Sequence, residues 1–597
     1  MEKYNTRADV PDKYKWDLTD FYKNEREFEK EYKNTVKLVN NLKKYVGCTN
    51  DADNLYDFLC NDMKAITNCE NIYVYSYLIN DQELGNSKSI ERKAKAEKLI
   101  TDYSTNTSFF EHELLKLDKK NYDKLFKQNK NLIEYKVSLD RIYRNKEHIL
   151  NESEEIIINE LTNAMDHFDD MSSTMLNTEH DYGKVMVDGK EEVLTSTNYG
   201  KLMKNKDRDF RRNTREQYSK VVNQYGVSSA QFLNSFVKSQ VAISKIRKYD
   251  SCFSAKRFSL NMPIEAYNAL VKTVESNTKS LQRYYKLFKK VKGFNKLYQY
   301  DLNLSLVDNE KEYSIEDSWK LCLEAIKPLG EEYTKRFKKI IENRYVDYAQ
   351  YKGKCSGGYS FGTKNVDSRI LMSFNYNLDS VSTLIHEGGH NVHGQFVSEN
   401  NPLQYREMPS LVCEVASLTN ECLLSSYLAE HGKTKEERLS GLSNIIDVIN
   451  SNLFGAVREG HMEEEFYKYV EDGGTITKEY MDNLTLESLK KYYGKEVELD
   501  EYSNMSWMRR SHYYQFFYLY AYAFSISVAS HVASEILKGN KDMLDRYIKF
   551  LSTGSDMWPT EIFKILGVDI CSKDVYESAI KYYESLIKKY EEIEKEV

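Results

Sequence analysis

The sequence predicts a mostly α-helical protein with one small β-sheet. Three observations carry this. Helix breakers are rare, with 6 prolines and 25 glycines in 597 residues. Runs such as Phe21–Tyr45 and Ile90–Leu117 set apolar residues at helical spacing among charges. A single stretch, Tyr345–Leu378, changes texture: SGGYSFGT is glycine-rich, and Arg369–Tyr376 (RILMSFNY) alternates as a strand does.

Along the chain, helix follows helix for roughly the first 340 residues. HDYGKVMVDGK, around His180–Lys190, reads as a turn or short hairpin, and a domain boundary is expected near residue 200, giving regions 1–200 and 201–597. After the strand, Asp379 offers an N-cap to SVSTLIHEGGHNVHGQF. Val381, Leu384, Ile385, Val392 and Phe396 form one apolar stripe there, so one face of this helix is expected to be buried. A polar loop with Pro402 and Pro409 leads into a second helix, SLVCEVASLTNECLLSSYL. The remainder is helical, with a turn at Gly554–Pro559.

Composition excludes several classes. Lys plus Arg is 85 and Asp plus Glu 92, so the net charge is 85 − 92 = −7. Without a basic stripe, a nucleic-acid binder is not expected. Nine cysteines with no CxxC form neither a disulfide framework nor a thiolate zinc site, which fits a reduced, cytoplasmic protein. The first residues lack the apolar core of a secretory leader. Ser511–Ser534 carries no Asp, Glu, Lys or Arg, but its histidines, serines and scattered tyrosines suit a buried helix beside a polar cavity rather than a membrane span.

The chemistry centres on His386-Glu387-Gly388-Gly389-His390, an HExxH. On a helix, i and i+4 stack on one face about 6 Å apart in rise, so two imidazoles can reach one zinc at about 2.1 Å. Glu387 adjoins them and can serve as general base on water activated there. Two mid-helix glycines each cost about 1 kcal/mol relative to alanine, which points to a close backbone approach. A catalytic zinc takes three protein ligands and keeps one open position. His393, at i+7, lies about 10 Å further along and is too far to be the third; it is expected beside the ligands or facing substrate. Histidine at position 396 would make a metzincin, but Phe396 stands there. Glu414 is the better candidate, because a bare carboxylate in LVCEVASL would be costly to bury. Glu421, two turns on, can orient a ligand histidine; an ordinary exposed carboxylate is the alternative.

The 23 residues between His390 and Glu414 (391 to 413), together with HExGH, make the sequence similar to the thimet-oligopeptidase family of zinc peptidases, in particular its oligoendopeptidase F branch. RADVPDKYKWDLTDFY, LMSFNYNLDSVSTLIHEGGHNVH, CEVASLTNE and FLSTGSDMWPTEIFKILGVDI extend the resemblance over nearly the whole chain. Gly388 departs from it, since the family usually has a bulky residue there, and looser local packing is expected. The resemblance implies two helical lobes around a deep channel, with a small β-sheet beside the HExxH helix. It implies one zinc on His386, His390 and Glu414, with Glu387 as base. It also implies that the edge strand near Arg369–Tyr376 pairs with the substrate backbone, flanked by Gly357, Gly358 and Tyr359. The family stabilises the reaction's oxyanion with a histidine and tyrosines late in the chain; His512 and Tyr520 match best, with Tyr514 as a second tyrosine touching substrate. Arg509 and Arg510 read as surface charges, with a peptide carboxylate as the alternative partner.

The expected function is zinc-dependent hydrolysis of internal bonds in short oligopeptides, with neither nucleic acid nor membrane as partner. A hydrolytically silent peptide-binding protein of the same fold is disfavoured by the intact Glu387. A zinc aminopeptidase is disfavoured because no acidic set to grip a substrate amine is identifiable.

Overall fold

The computed structural model describes residues 4–165, 167–308 and 311–596. Helices dominate, as the composition predicts. The chain divides into two compact units. The first comprises Met1–Ile149, Glu310–Leu424 and Glu535–Gly567, and the second Leu150–Asn309, Ser425–Ser534 and Val568–Val597. Residue 200, the boundary expected from sequence, falls inside the second unit.

Within the second unit, β1 (Lys184–Val187) and β2 (Lys190–Val193) form an antiparallel hairpin. Its turn, Asp188-Gly189, has φ of 48° and 78°, the left-handed geometry that an Asp-Gly pair favours in two-residue hairpins. Two of the buried tyrosines have polar partners. Tyr284 donates to Asp447 at 2.7 Å and Tyr583 to Asn450 at 2.5 Å, so each ring is buried without stranding its hydroxyl.

Within the first unit, three strands form the sheet: β3 (Val346–Asp347), β4 (Gly358–Phe361) and β5 (Arg369–Met372), in the order β3-β5-β4. β5 is parallel to β3 and antiparallel to β4. The sequence expectation is corrected here. The strand is shorter than Arg369–Tyr376, and it is the buried centre rather than the edge. All four residues of the strand are buried, Arg369 wholly so. Its guanidinium donates to the Asp17 carbonyl at 2.6 Å, the Asp367 carbonyl at 2.7 Å and the Asp20 carboxylate at 2.7 Å. The Tyr345 ring lies 3.9 Å from it. These partners satisfy a charge that would otherwise be very costly to bury. Among the described residues, β4 pairs only with β5, so its other edge is free.

Three helices of the first unit carry the site: α1 (Gly330–Glu342), α2 (Leu378–Asn400) and α3 (Ser410–His431), whose last turns enter the second unit. α2 is capped by Asn377, whose side chain accepts from the Ser380 N–H at 3.0 Å, rather than by Asp379. Asp379 sits in the first turn instead, where its charge complements the helix dipole. The mid-helix glycines have separate reasons. A Cβ on Gly388 would lie 2.4 Å from the Phe337 ring of α1, and one on Gly389 2.8 Å from the Ser417 Cα of α3. The looseness expected at Gly388 is therefore absent, because Phe337 fills the space.

These contacts predict opposite effects for two glycines of one helix. Gly389→Ala gains about 1 kcal/mol of helix propensity but forces α2 and α3 apart, so a net loss of roughly 1–2 kcal/mol is expected. Gly394 has nothing within 4 Å of its would-be Cβ, so Gly394→Ala should stabilise by about 0.5–1 kcal/mol. Denaturant unfolding of both variants checks this; equal effects would mean that helix approach does not decide residue 389.

Candidate active site

His386 and His390 lie one turn apart on α2, with ring centroids 4.9 Å apart. Glu414 comes from the first turns of α3. Its Oε2 is 3.4 Å from the Nε2 of His386 and 3.4 Å from that of His390. One donor atom from each of the three residues lies within 4.8 Å of the others. A separation of 3.4 Å is long for a charge-assisted hydrogen bond. It matches the edge of a tetrahedron, about 3.4 Å, around a zinc bound at about 2.1 Å. The donor set thus fits zinc: two imidazoles and one carboxylate, with a fourth position left over.

Supporting contacts hold each donor. Glu421 Oε1 lies 2.7 Å from His386 Nδ1, which leaves Nε2 to point at Glu414. Ser382 donates to the other Glu421 oxygen at 2.9 Å. Ser417 donates to Glu414 Oε2 at 3.0 Å. Asn420 donates to the Ile385 carbonyl at 3.0 Å and accepts from Tyr333 at 2.9 Å, tying α3 to α2 and α1 at ligand level. Ser382, Ser417, Asn420 and Tyr333 escaped the sequence reading. Asn420 and Ser417 are buried polar residues on a helix rich in apolar ones, the signal that could have marked them.

Glu387 is buried, at 7% exposure. Burial pushes its carboxyl above the usual range, against the pull of the two histidines. A Cβ on Gly358 of β4 would stand 2.9 Å from Thr383 and 3.8 Å from Glu387 Oε1. Glycine at 358 therefore keeps β4 close over the general-base candidate. Gly357 before it adopts φ +101°, a left-handed conformation suited to glycine. Tyr359 points to the other face, where its hydroxyl donates to Asp81 at 2.8 Å.

His393, expected beside the donors or facing substrate, is instead a core residue. It is 1% exposed and stacks on Phe550 at 5.8 Å. Burial pushes its pKa down to about 3, so the ring is neutral.

The late histidine and tyrosines lie in the second unit. His512 is half-buried, and its pKa is lowered by burial and by the charge of Arg510. Tyr520 is not with His512: its ring packs in the core against Tyr267 and Phe524, each at 5.9 Å, and its buried hydroxyl has no hydrogen-bond partner among the described residues. Tyr518 and Tyr522 stand with His512 instead, at 6.3 and 6.1 Å between ring centroids. Tyr518 lies just before the helix that starts at Tyr520 and Tyr522 in its first turn, and their rings are 5.3 Å apart. Tyr514 packs on Phe236 at 5.4 Å.

Since Glu421 fixes the His386 ring, Glu421→Gln should weaken zinc binding about 10–100-fold with the fold retained. Competition against a metal-sensitive chelator reads this directly. Unchanged affinity would show that the contact does not tune the donor.

Residues 201–582 match Peptidase family M3, and residues 113–181 match the N-terminal family described as Oligopeptidase F. The chain is 30% identical over 578 residues to oligopeptidase PepF of Bacillus subtilis (strain 168), covering 96% of this chain and 86% of that protein. It is 29% identical over 582 residues to the plasmid oligoendopeptidase F of Lactococcus lactis subsp. cremoris, covering 96% of each. Among solved structures, oligoendopeptidase-F from Enterococcus faecium superposes with a TM-score of 0.74 at 27% identity, over 95% of this chain and 99% of that one. A peptidase structure from Chlamydophila abortus shares the fold with a TM-score of 0.90 at 24% identity, over 99% and 100%. The HExxH helix and its downstream glutamate both lie inside the longer match, and the chain belongs to peptidase family M3, as a metalloendopeptidase that hydrolyses peptides.

Proposed function

We propose that the protein cleaves internal bonds of short oligopeptides in the cytoplasm, using one zinc held by His386, His390 and Glu414. The observation that carries this reading is the convergence of those three donors beside the buried Glu387. When bound, zinc supplies a Lewis acid that polarises the scissile carbonyl and makes water more acidic. Glu387 takes the proton from the attacking water as the new C–O bond forms. It then delivers that proton to the leaving amine nitrogen as the C–N bond breaks. Glu421 keeps His386 in one tautomer and orientation throughout.

The free edge of β4 supports an extended substrate backbone by strand addition. That role passes from Arg369–Tyr376 to Gly358–Phe361, with Gly357 shaping the entry. His512, Tyr518 and Tyr522 carry the N–H and O–H donors that a tetrahedral oxyanion requires. The cytoplasmic setting is supported by nine free cysteines. Among the described residues, no helix is long and apolar enough to cross a membrane.

Strand addition demands an extended segment, at about 3.3 Å per residue. A folded substrate would first have to unfold, at about 5–15 kcal/mol. An N-acetylated peptide of some ten residues should therefore be cut internally while a stable globular protein survives, both read by mass spectrometry. Release of single residues from unblocked peptides alone would indicate an aminopeptidase.

A further inference from the structure

The second unit contains a cavity of about 430 Å³ that the hydrolytic chemistry leaves unused. Four arginines line it: Arg215, Arg458, Arg509 and Arg510. The one carboxylate in its wall is Glu459, already shared by two of them. Arg458 donates to it at 2.7 Å, and Arg510 both donates at 2.7 Å and pairs at 2.5 Å. Arg215 gives one nitrogen to Gln299 at 2.7 Å and to Asp500 at 3.0 Å. Among the described residues, the ion pairs of these four guanidiniums are with two carboxylates, Glu459 and Asp500, while Glu501 and Glu216 lie near Tyr502 of the same wall.

Two features separate this from an ordinary solvated basic patch. Arg215 is 6% exposed, yet its Nη1 has no hydrogen-bond partner among the described residues. A buried, charged donor is rarely left unmatched. Arg509 makes no ion pair among the described residues; its guanidinium lies over the rings of Tyr199 and Tyr218, at 4.7 and 5.0 Å. Stacking fixes the plane of a guanidinium while its N–H edge stays available for an oxyanion. Tyr218, Arg509 and Arg510 also wall a second cavity of about 300 Å³, to which Ser172, Ser173 and Ser511 add hydroxyls. Asp169 is the acidic residue on that side. The first cavity alone lies within the size range of small-molecule sites.

We propose that this cavity binds a small, multiply charged anion through Arg215 and Arg509. Carboxylates of an acidic peptide and phosphates of a free metabolite share the required chemistry: several oxyanion groups, each able to accept paired N–H bonds. The site lies beyond the hydrolytic reading above and does not depend on it, because the test reads binding rather than turnover.

The test is isothermal titration of the full, zinc-loaded chain at low ionic strength in a phosphate-free buffer. One arm uses N-acetyl-Glu-Glu-Glu and the other trimetaphosphate, a weak zinc chelator. At least one probe should bind, more weakly as salt screens the charges. Arg509→Gln should weaken binding by about tenfold or more, and Arg509→Lys by less, since the charge remains while the planar fork is lost. Circular dichroism should not change with Arg509, which is exposed, and the melting temperature should fall only by what its stacking on Tyr199 and Tyr218 contributes, about 0.5–1 kcal/mol. Arg215→Lys gives an independent check from the buried end and should also weaken binding. Binding of the peptide alone identifies a carboxylate ligand, binding of trimetaphosphate alone a phosphate ligand, and binding of both the shared chemistry. Failure of both probes to bind at about 10 mM, tenfold above a millimolar Kd, or binding indifferent to Arg509→Gln, overturns the proposal.

Discussion

Glu387→Gln should retain zinc and fold while losing at least about 100-fold in turnover. Glutamine preserves the volume and can still hydrogen-bond a water, but it cannot take up the proton. The substitution also removes an ionisable group from a site where it is 7% exposed, so stability should hold or rise slightly. Steady-state cleavage of a quenched fluorescent peptide, with metal content measured on the same sample, separates the two effects. The loss should fall on kcat, because the proton moves only as the reaction proceeds. A variant with more than about a tenth of wild-type turnover would place the proton transfer on another group.

Glu414→Ala should abolish tight zinc binding, and activity with it. One of three donors is lost, and His386 and His390 then face each other without the carboxylate that stands 3.4 Å from both. His393→Ala is the contrasting case. It should leave zinc in place and instead destabilise the first unit by about 2–4 kcal/mol, since a buried ring stacked on Phe550 is replaced by a cavity. Metal content and denaturant midpoints for the two variants should therefore move in opposite directions: metal lost with stability little changed, against stability lost with metal kept. A His393→Ala chain without zinc beside a Glu414→Ala chain that keeps it would invert the ligand assignment.

Much of the site was legible because its chemistry is local in sequence. HExxH needs only one helical turn, and Glu414 with Glu421 needs only two turns of the next helix. The paired glycines also announced a close approach, although their partners, Phe337 and Ser417, come from different helices that no local pattern names. The polar residues holding the donors come from separate segments: Ser382 on α2, Ser417 and Asn420 on α3, Tyr333 on α1. Their pairing is tertiary, and single-sequence periodicity has no access to it.

The misreadings have the same origin. Period-two alternation reveals a strand but not whether it is central or at the edge, so β5 took the role that the free edge of β4 has the geometry for. The register of the late tyrosines turned on Phe516 and Phe517, whose φ of 38° and 53° interrupt the chain just before the helix that starts at Tyr520. Two consecutive bulky residues in the left-handed region are not something propensity anticipates. Asp379 lost the cap to Asn377 because the helix starts two residues earlier, and both residue types are good caps.

In the proposed mechanism, peptide hydrolysis by this chain depends on a single zinc on His386, His390 and Glu414. This dependence is tested most directly by stripping the purified protein with a chelator, then titrating zinc back while recording both bound metal and the rate of internal cleavage of one N-acetylated peptide. The stripped protein should show no cleavage, and recovery should be linear with a break at about one zinc per chain. Full cleavage by metal-free protein, or a break well away from one zinc per chain, would contradict it.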